Sequence, residues 1–184
     1  MVKSLYKSAY HANWFLIFHH NSAGGYFSNN ELLMYYSDHK YSALGSLEKY
    51  RINGFFEFLL EYPELDGYSR FIQISNPTQT KSIEGYKKKH LSWETRGFGG
   101  LALSSDTSYT YIDGTPGNAI NWHYAIGSYT KWTDGYIPGP FYVGEGKIDL
   151  QEVNLWIRIF NSNLCESSHR TCFNSLLFFI LIFS

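Results

Sequence analysis

The stretch LQEVNLWIRIF, residues 150–160, decides the fold. Val153, Leu155, Ile157 and Ile159 recur at every second position, and Asn154, Trp156 and Arg158 stand between them. A period of two is that of a β-strand with one face on a core and the other turned away from it. Upstream, Phe55–Tyr62 (FFEFLLEY) reads as a second strong strand, and Tyr68–Ser75, with Phe71, Ile72 and Ile74, as a third. Residues 14–20, WFLIFHH, are apolar without alternation, which suits a strand covered on both faces. Gly99–Ser104 and Tyr109–Ile112 are shorter strand candidates.

Punctuation between these runs is local. Ala23-Gly24-Gly25, Asn53-Gly54, Pro63 to Gly67 and Asn76-Pro77-Thr78 read as turns. Ser28-Asn-Asn-Glu31 has capping-box spacing before Leu32, Leu33 and Met34, which predicts a helix of at most two turns. A second short helix is predicted over 42–50, where Leu44, Leu47 and Tyr50 fall at helical spacing behind Ser42. Residues 113–149 carry turn residues every few positions and one weak strand, Trp122–Ile126, and are read as long ordered loops. The expected fold is α+β: one β-rich domain over residues 13–160, with a twisted, mainly antiparallel sheet, two short helices and long ordered loops.

Composition narrows the function. With 184 residues there is enough chain for one independent core, and 19% of it is aromatic. A net charge of −1, with 17% charged residues, argues against a protein that tracks nucleic-acid phosphates. Lys87-Lys88-Lys89-His90 reads as a solvated turn or an edge-strand guard before it reads as a binding patch. No enzyme is expected, since the chain holds no nucleophile elbow, phosphate loop or metalloprotease helix. His19 and His20, adjacent on a strand, face opposite sides, and the inward ring is expected to be satisfied by a carbonyl. Glu57 and Glu61 share a strand face and read as edge solvation. Cys165 and Cys172 with His169 supply three ligands at most, too few for a closed zinc site.

Between Thr107 and Glu145 there are nine aromatic residues and four charged ones. Sugar recognition needs an aromatic plate for the apolar face of a pyranose and planar polar groups for its hydroxyls. Asp113, Asn121, His123, Tyr129, Trp132, Asp134 and Tyr136 are therefore the candidate ligand-binding residues. Trp122 and Tyr124 read as core residues with His123 turned outward, whereas Trp132 and Tyr136 flank Asp134-Gly135 at a turn tip. Asp106 and Asp113, with carbonyls of the intervening loop, are candidate calcium ligands. No cofactor is otherwise expected.

Trp14-Phe-Leu-Ile-Phe18, then Gly24-Gly25-Tyr-Phe-Ser28 and a short acidic helix, resemble the opening of fibrinogen-like and intelectin-like lectin domains. Leu101-Ala-Leu-Ser-Ser-Asp106 and Asn121-Trp-His-Tyr124 are similar to that family's calcium-loop strand and aromatic segment, and Glu152–Arg158 to its last strand. The order of features is also similar to uncharacterised extracellular invertebrate modules. The family's disulfide cysteines are absent from the body, and its acidic calcium run is reduced to Asp106-Thr-Ser-Tyr. The resemblance implies a secreted recognition module whose partner is a glycan or glycoprotein surface, with a structural protein–protein module as the alternative. Residues 1–12 read as an extension without an apolar signal core. Residues 161–184 read as a mis-spliced end, or as a lipid-anchor signal after Ser162; Leu176–Phe183 is too short to span a bilayer.

Overall fold

The computed structural model describes residues 13–25, 27, 35–65, 67–92, 98–103, 112–116, 126, 139–143 and 146–159. The strands are β1 (Trp14–Asn21), β2 (Tyr35–Tyr36), β3 (Lys40–Ser42), β4 (Phe56–Glu61), β5 (Ser69–Gln73), β6 (Lys87–Leu91), β7 (Phe98–Leu103), β8 (Ile112–Pro116), β9 (Gly139–Val143), β10 (Gly146–Leu150) and β11 (Glu152–Arg158). Seven form one open antiparallel sheet in the order β2-β3-β1-β11-β4-β5-β6. Two antiparallel ribbons, β7–β8 and β9–β10, accompany it.

The alternation in the closing strand behaves as its period requires. Val153, Leu155 and Ile157 enter the main core, while Asn154 and Trp156 lie on the other face. On β4, Phe56, Phe58 and Leu60 fill the same core. Each such side chain, fully withdrawn from water, contributes about 1.5–3 kcal/mol. Strand β1 is apolar on both sides, as its composition predicts: Ile17 and Phe18 enter the main core, and Trp14 and Leu16 join a second cluster with Leu59, Trp156 and Tyr68. Two consecutive inward residues are possible because the register with β11 slips between Leu16 and Phe18. That bulge aims the Ile17 carbonyl at the Ala43 N–H, 2.8 Å away.

Local chemistry sets the connections. Asn53 and Gly54 both have positive φ (50° and 84°), the two-residue turn that Asn-Gly favours, and Ile52 bridges Phe55 across it. The helix expected over 42–50 is a 3-10 segment, Leu44–Tyr50, kinked at Ser46. Its spacing holds: Leu44 and Leu47 are buried and Tyr50 packs against the core. A further 3-10 turn, Ser22–Gly24, follows β1, with Asn21 Oδ1 accepting from the Ala23 N–H. The helix expected over 28–34, and residues 1–12 and 161–184, lie outside the described residues.

The largest departure from expectation falls in 113–149, read above as loops. It contains most of β8 and β10 and all of β9. Isolated strands of Ile-Asp-Gly-Thr-Pro or Gly-Pro-Phe-Tyr-Val composition are hidden by residues that sheets normally exclude. Here each is one half of a two-stranded ribbon, where proline loses fewer ladder bonds. Likewise 150–160 is not one strand: Leu150 ends β10, and β11 begins after Gln151. Of the weak strand at 122–126 only Ile126 is described, as a bend whose side chain is fully buried.

The β7–β8 ribbon packs Phe98, Leu101 and Ile112 into the core, and one buried side chain ties it to β5 by hydrogen bonds. Gln73, fully buried, accepts from the Leu101 N–H at 3.0 Å and donates to the Leu101 carbonyl at 2.9 Å, as a neighbouring strand would. Gln73→Leu keeps the volume but orphans both Leu101 groups. We expect a loss of about 2–4 kcal/mol in urea unfolding, with the far-UV spectrum retained.

Among the described residues His20 is the one fully buried ring with a titrating nitrogen. Its Nε2 lies 2.8 Å from the Gly25 carbonyl, so Nε2 carries the hydrogen and Nδ1 keeps an unpartnered lone pair. Gly25, at φ 69° and ψ −169°, holds a backbone shape open to glycine and little else. Desolvation by burial lowers the His20 pKa from 6.5 to about 4, the Gly25 hydrogen bond opposing and Lys40 adding to it. Above 6.5 both states hold a neutral ring; below it the unfolded chain binds a proton that the folded chain refuses. Stability should therefore fall as pH drops from 6.5 to about 4, by up to about 3 kcal/mol at roughly 1.4 kcal/mol per unit. Urea titrations across that window, compared with His20→Phe, should show the wild-type slope flattened in the variant.

Candidate functional site

Register places polar and aromatic residues in rows across the second face of the main sheet. Tyr36 pairs with Tyr41, Tyr41 with His19, His19 with Asn154 and Asn154 with Glu61. These direct cross-strand neighbours, about 4.8 Å apart between strands, form one line over five strands. A second line runs Leu16, Trp156, Leu59, Arg70, His90. A third runs from Trp14 through Arg158, Glu57 and Ile72 to Lys87, with Arg158 and Glu57 joined by their side chains.

Hydrogen bonding orders the first line. Glu61 can only accept while ionised, so the Asn154 amide nitrogen turns toward it, at 3.5 Å, and Asn154 Oδ1 faces His19. His19 Nδ1 lies 2.8 Å from that oxygen and therefore carries the hydrogen, leaving Nε2 as an acceptor. The Trp156 indole N–H donates to the same Glu61 oxygen at 3.2 Å. Glu152 Oε1 stands 3.7 Å from His19 Nδ1, and its other oxygen accepts from Asn21. In the third line Glu57 is held between two guanidiniums: Arg70 Nε donates to one oxygen at 2.5 Å and Arg158 to the other at 2.9 Å.

Exposure separates the packing residues from those a ligand can reach. Trp14 and Trp156 are buried and cannot serve as stacking plates; they pack with Leu59. Tyr36 is 63% exposed, its ring braced edge-on by Tyr41 at 6.0 Å. The hairpin beneath it is set by Ser37, whose hydroxyl accepts from the Lys40 N–H at 2.9 Å. The arrangement offers an accessible aromatic face at the β2 edge; beside it His19 and Asn154 are buried and bonded to each other. Among the described residues no three His, Cys, Asp or Glu side chains gather as a metal set would require. No helix among them is long and apolar enough to cross a membrane.

Several readings meet the structure here. His19 and His20 do face opposite sides, and the inward ring is satisfied by a carbonyl. Glu57 and Glu61 do share a face, but edge solvation is the wrong account of them. Strand β4 lies inside the sheet between β11 and β5, and both carboxylates are partnered. Of the expected ligand residues, Asp113 is seen only as backbone, paired with Ala102. Asn121, His123, Tyr129, Trp132, Asp134 and Tyr136, and the calcium candidate Asp106, lie outside the described residues. Tyr36 and Tyr41 were missed, because strands of two and three residues leave no periodicity. The flanking of Ser37-Asp38-His39 by tyrosine-bearing runs was the available signal.

Comparison with family models, with curated proteins and with solved structures returns no match to this chain. Asn154→Ala should cost about 1–3 kcal/mol in chemical unfolding, because it strips the acceptor from a buried imidazole N–H.

Proposed function

We propose that the protein is an extracellular recognition module that binds glycans. The observation that carries this reading is Tyr36, an exposed ring on the β2–β3 strand pair, braced edge-on by Tyr41. Stacking on the ring and bonds to ring hydroxyls are the two contacts a pyranose needs. The order of features shared with fibrinogen-like and intelectin-like lectin domains supports the same class, as does the aromatic segment around Trp132 and Asp134. The finer α+β assignment rests on a helix over 28–34, and a calcium role on Asp106 and Asp113. An interaction module for another protein is the second reading, favoured by the same exposed tyrosine.

A glycan array probed with the full chain, with calcium and with chelator, tests the proposal. We expect binding to a restricted set of glycans that Tyr36→Ala weakens about tenfold or more while the melting midpoint holds, the behaviour of an exposed hot-spot ring. Trp132→Ala should likewise weaken binding without a drop of several degrees. An array blank under both conditions overturns the glycan reading in favour of a protein partner.

A further inference from the structure

The opposite edge of the same sheet is chemically different. Strand β6 is terminal in the sheet order, so among the described residues no strand lies beside its outer row of backbone groups. Lys87, Lys88, Lys89 and His90 are four consecutive exposed residues on it. No carboxylate among the described residues pairs with any of the three lysines. The register with β5 slips between Arg70 and Phe71, so Lys89 has no partner and bulges from the ladder. Lys87 stands opposite Ile72 and His90 opposite Arg70, on the face that also carries Arg158. Glu57, in the same row as Lys87, is already occupied by the two arginines. Tyr68 lies against the His90 ring, with centroids 4.6 Å apart, at the end of the strip.

One lysine suffices to discourage edge-to-edge pairing, and the bulge alone bends the edge away from a flat template. Three unpaired ammoniums along one edge strand, Lys87 on the outer face and Lys88 opposite the core-facing Phe71, exceed that need. They repel one another, and they concentrate charge on one strand of a chain whose net charge is −1. The bulge also discourages an acidic peptide from adding as an eighth strand, since a regular ladder could not run past Lys89. A lone strip one strand wide offers few of the contacts by which proteins track a duplex. A flexible chain of sugars bearing anionic groups suits it, with the Tyr68–His90 pair as an apolar rest for a ring.

We propose that the β6 edge is a binding strip for an anionic polysaccharide carrying sulfate or carboxylate groups, with Lys87, Lys88 and Lys89 as its counter-charges. The proposal rests on the glycan reading for its ligand class but uses a different edge and different residues.

The test is surface plasmon resonance of the full chain over immobilised heparin, neutral dextran and a DNA duplex of matched charge. We expect heparin to bind at 150 mM NaCl, dextran not to, and duplex to bind at least tenfold more weakly. Raising the salt should weaken heparin binding steeply. The variant K87Q/K88Q/K89Q should lose tenfold or more of heparin affinity, and K87R/K88R/K89R should retain it. Absence of heparin binding, equal binding by the Gln variant, or duplex binding as tight as heparin each overturns the strip. Array hits that persist and depend on Tyr36 after such a result leave the glycan reading standing. Silence of both array and heparin removes both.

Discussion

The pairing of β1 with β11 is the interaction on which the rest depends. The two strands are separated by 135 positions between His19 and Asn154, yet they lie side by side in the middle of the sheet. The closing strand also pairs with β4, so it is the link between a β2-β3-β1 half and a β4-β5-β6 half. Without it neither half could bury its apolar face against a common core. Forming such a contact closes a very long loop before it returns energy, which makes the central seam the entropically expensive step of folding.

That seam also fixes what each face can do. On the inner side Ile17, Phe18, Val153, Leu155, Phe58 and Leu60 exclude water from a dense aromatic and aliphatic core. On the outer side the same two pairings bring His19, Asn154 and Glu61 into a line and set Trp156 against Leu59. Because successive side chains point to opposite faces, a slip of one residue would push the polar line into the core and the isoleucine and leucine rows to the outside. The core is thus what holds the candidate site in register. The polarity of the outer face then changes along it, from tyrosines at the β2 edge through buried indoles at the centre to cations at the β6 edge.

The parts of this that were legible in the sequence are those with a local cause. Alternation in Glu152–Arg158 identified which residues enter the core and which share the other face. Asn53-Gly54 announced its own turn, and adjacency alone separated His19 from His20. Helical spacing placed Leu44, Leu47 and Tyr50 correctly, although the segment winds as a 3-10 helix kinked at Ser46. The β8 and β9 strands were illegible because their Asp, Gly and Pro residues carry no strand preference of their own and are held by a ribbon partner. Tyr36 and Tyr41 were invisible as a pair for the same reason: two or three residues hold no period, and only the hairpin brings the rings together.

By itself, then, the sequence determined a β-rich chain, the inward and outward sides of its long strands, and several of its turns. These follow from the pleat and from backbone preferences that act within a few residues. Tertiary structure alone decided the strand order, the partners of Glu57 and Glu61, the docking of Leu101 on Gln73, and the meeting of His19 with Asn154. Each of these joins residues far apart in the chain, and which distant strand lies alongside is settled by burying the whole core at once, a quantity that no local stretch contains.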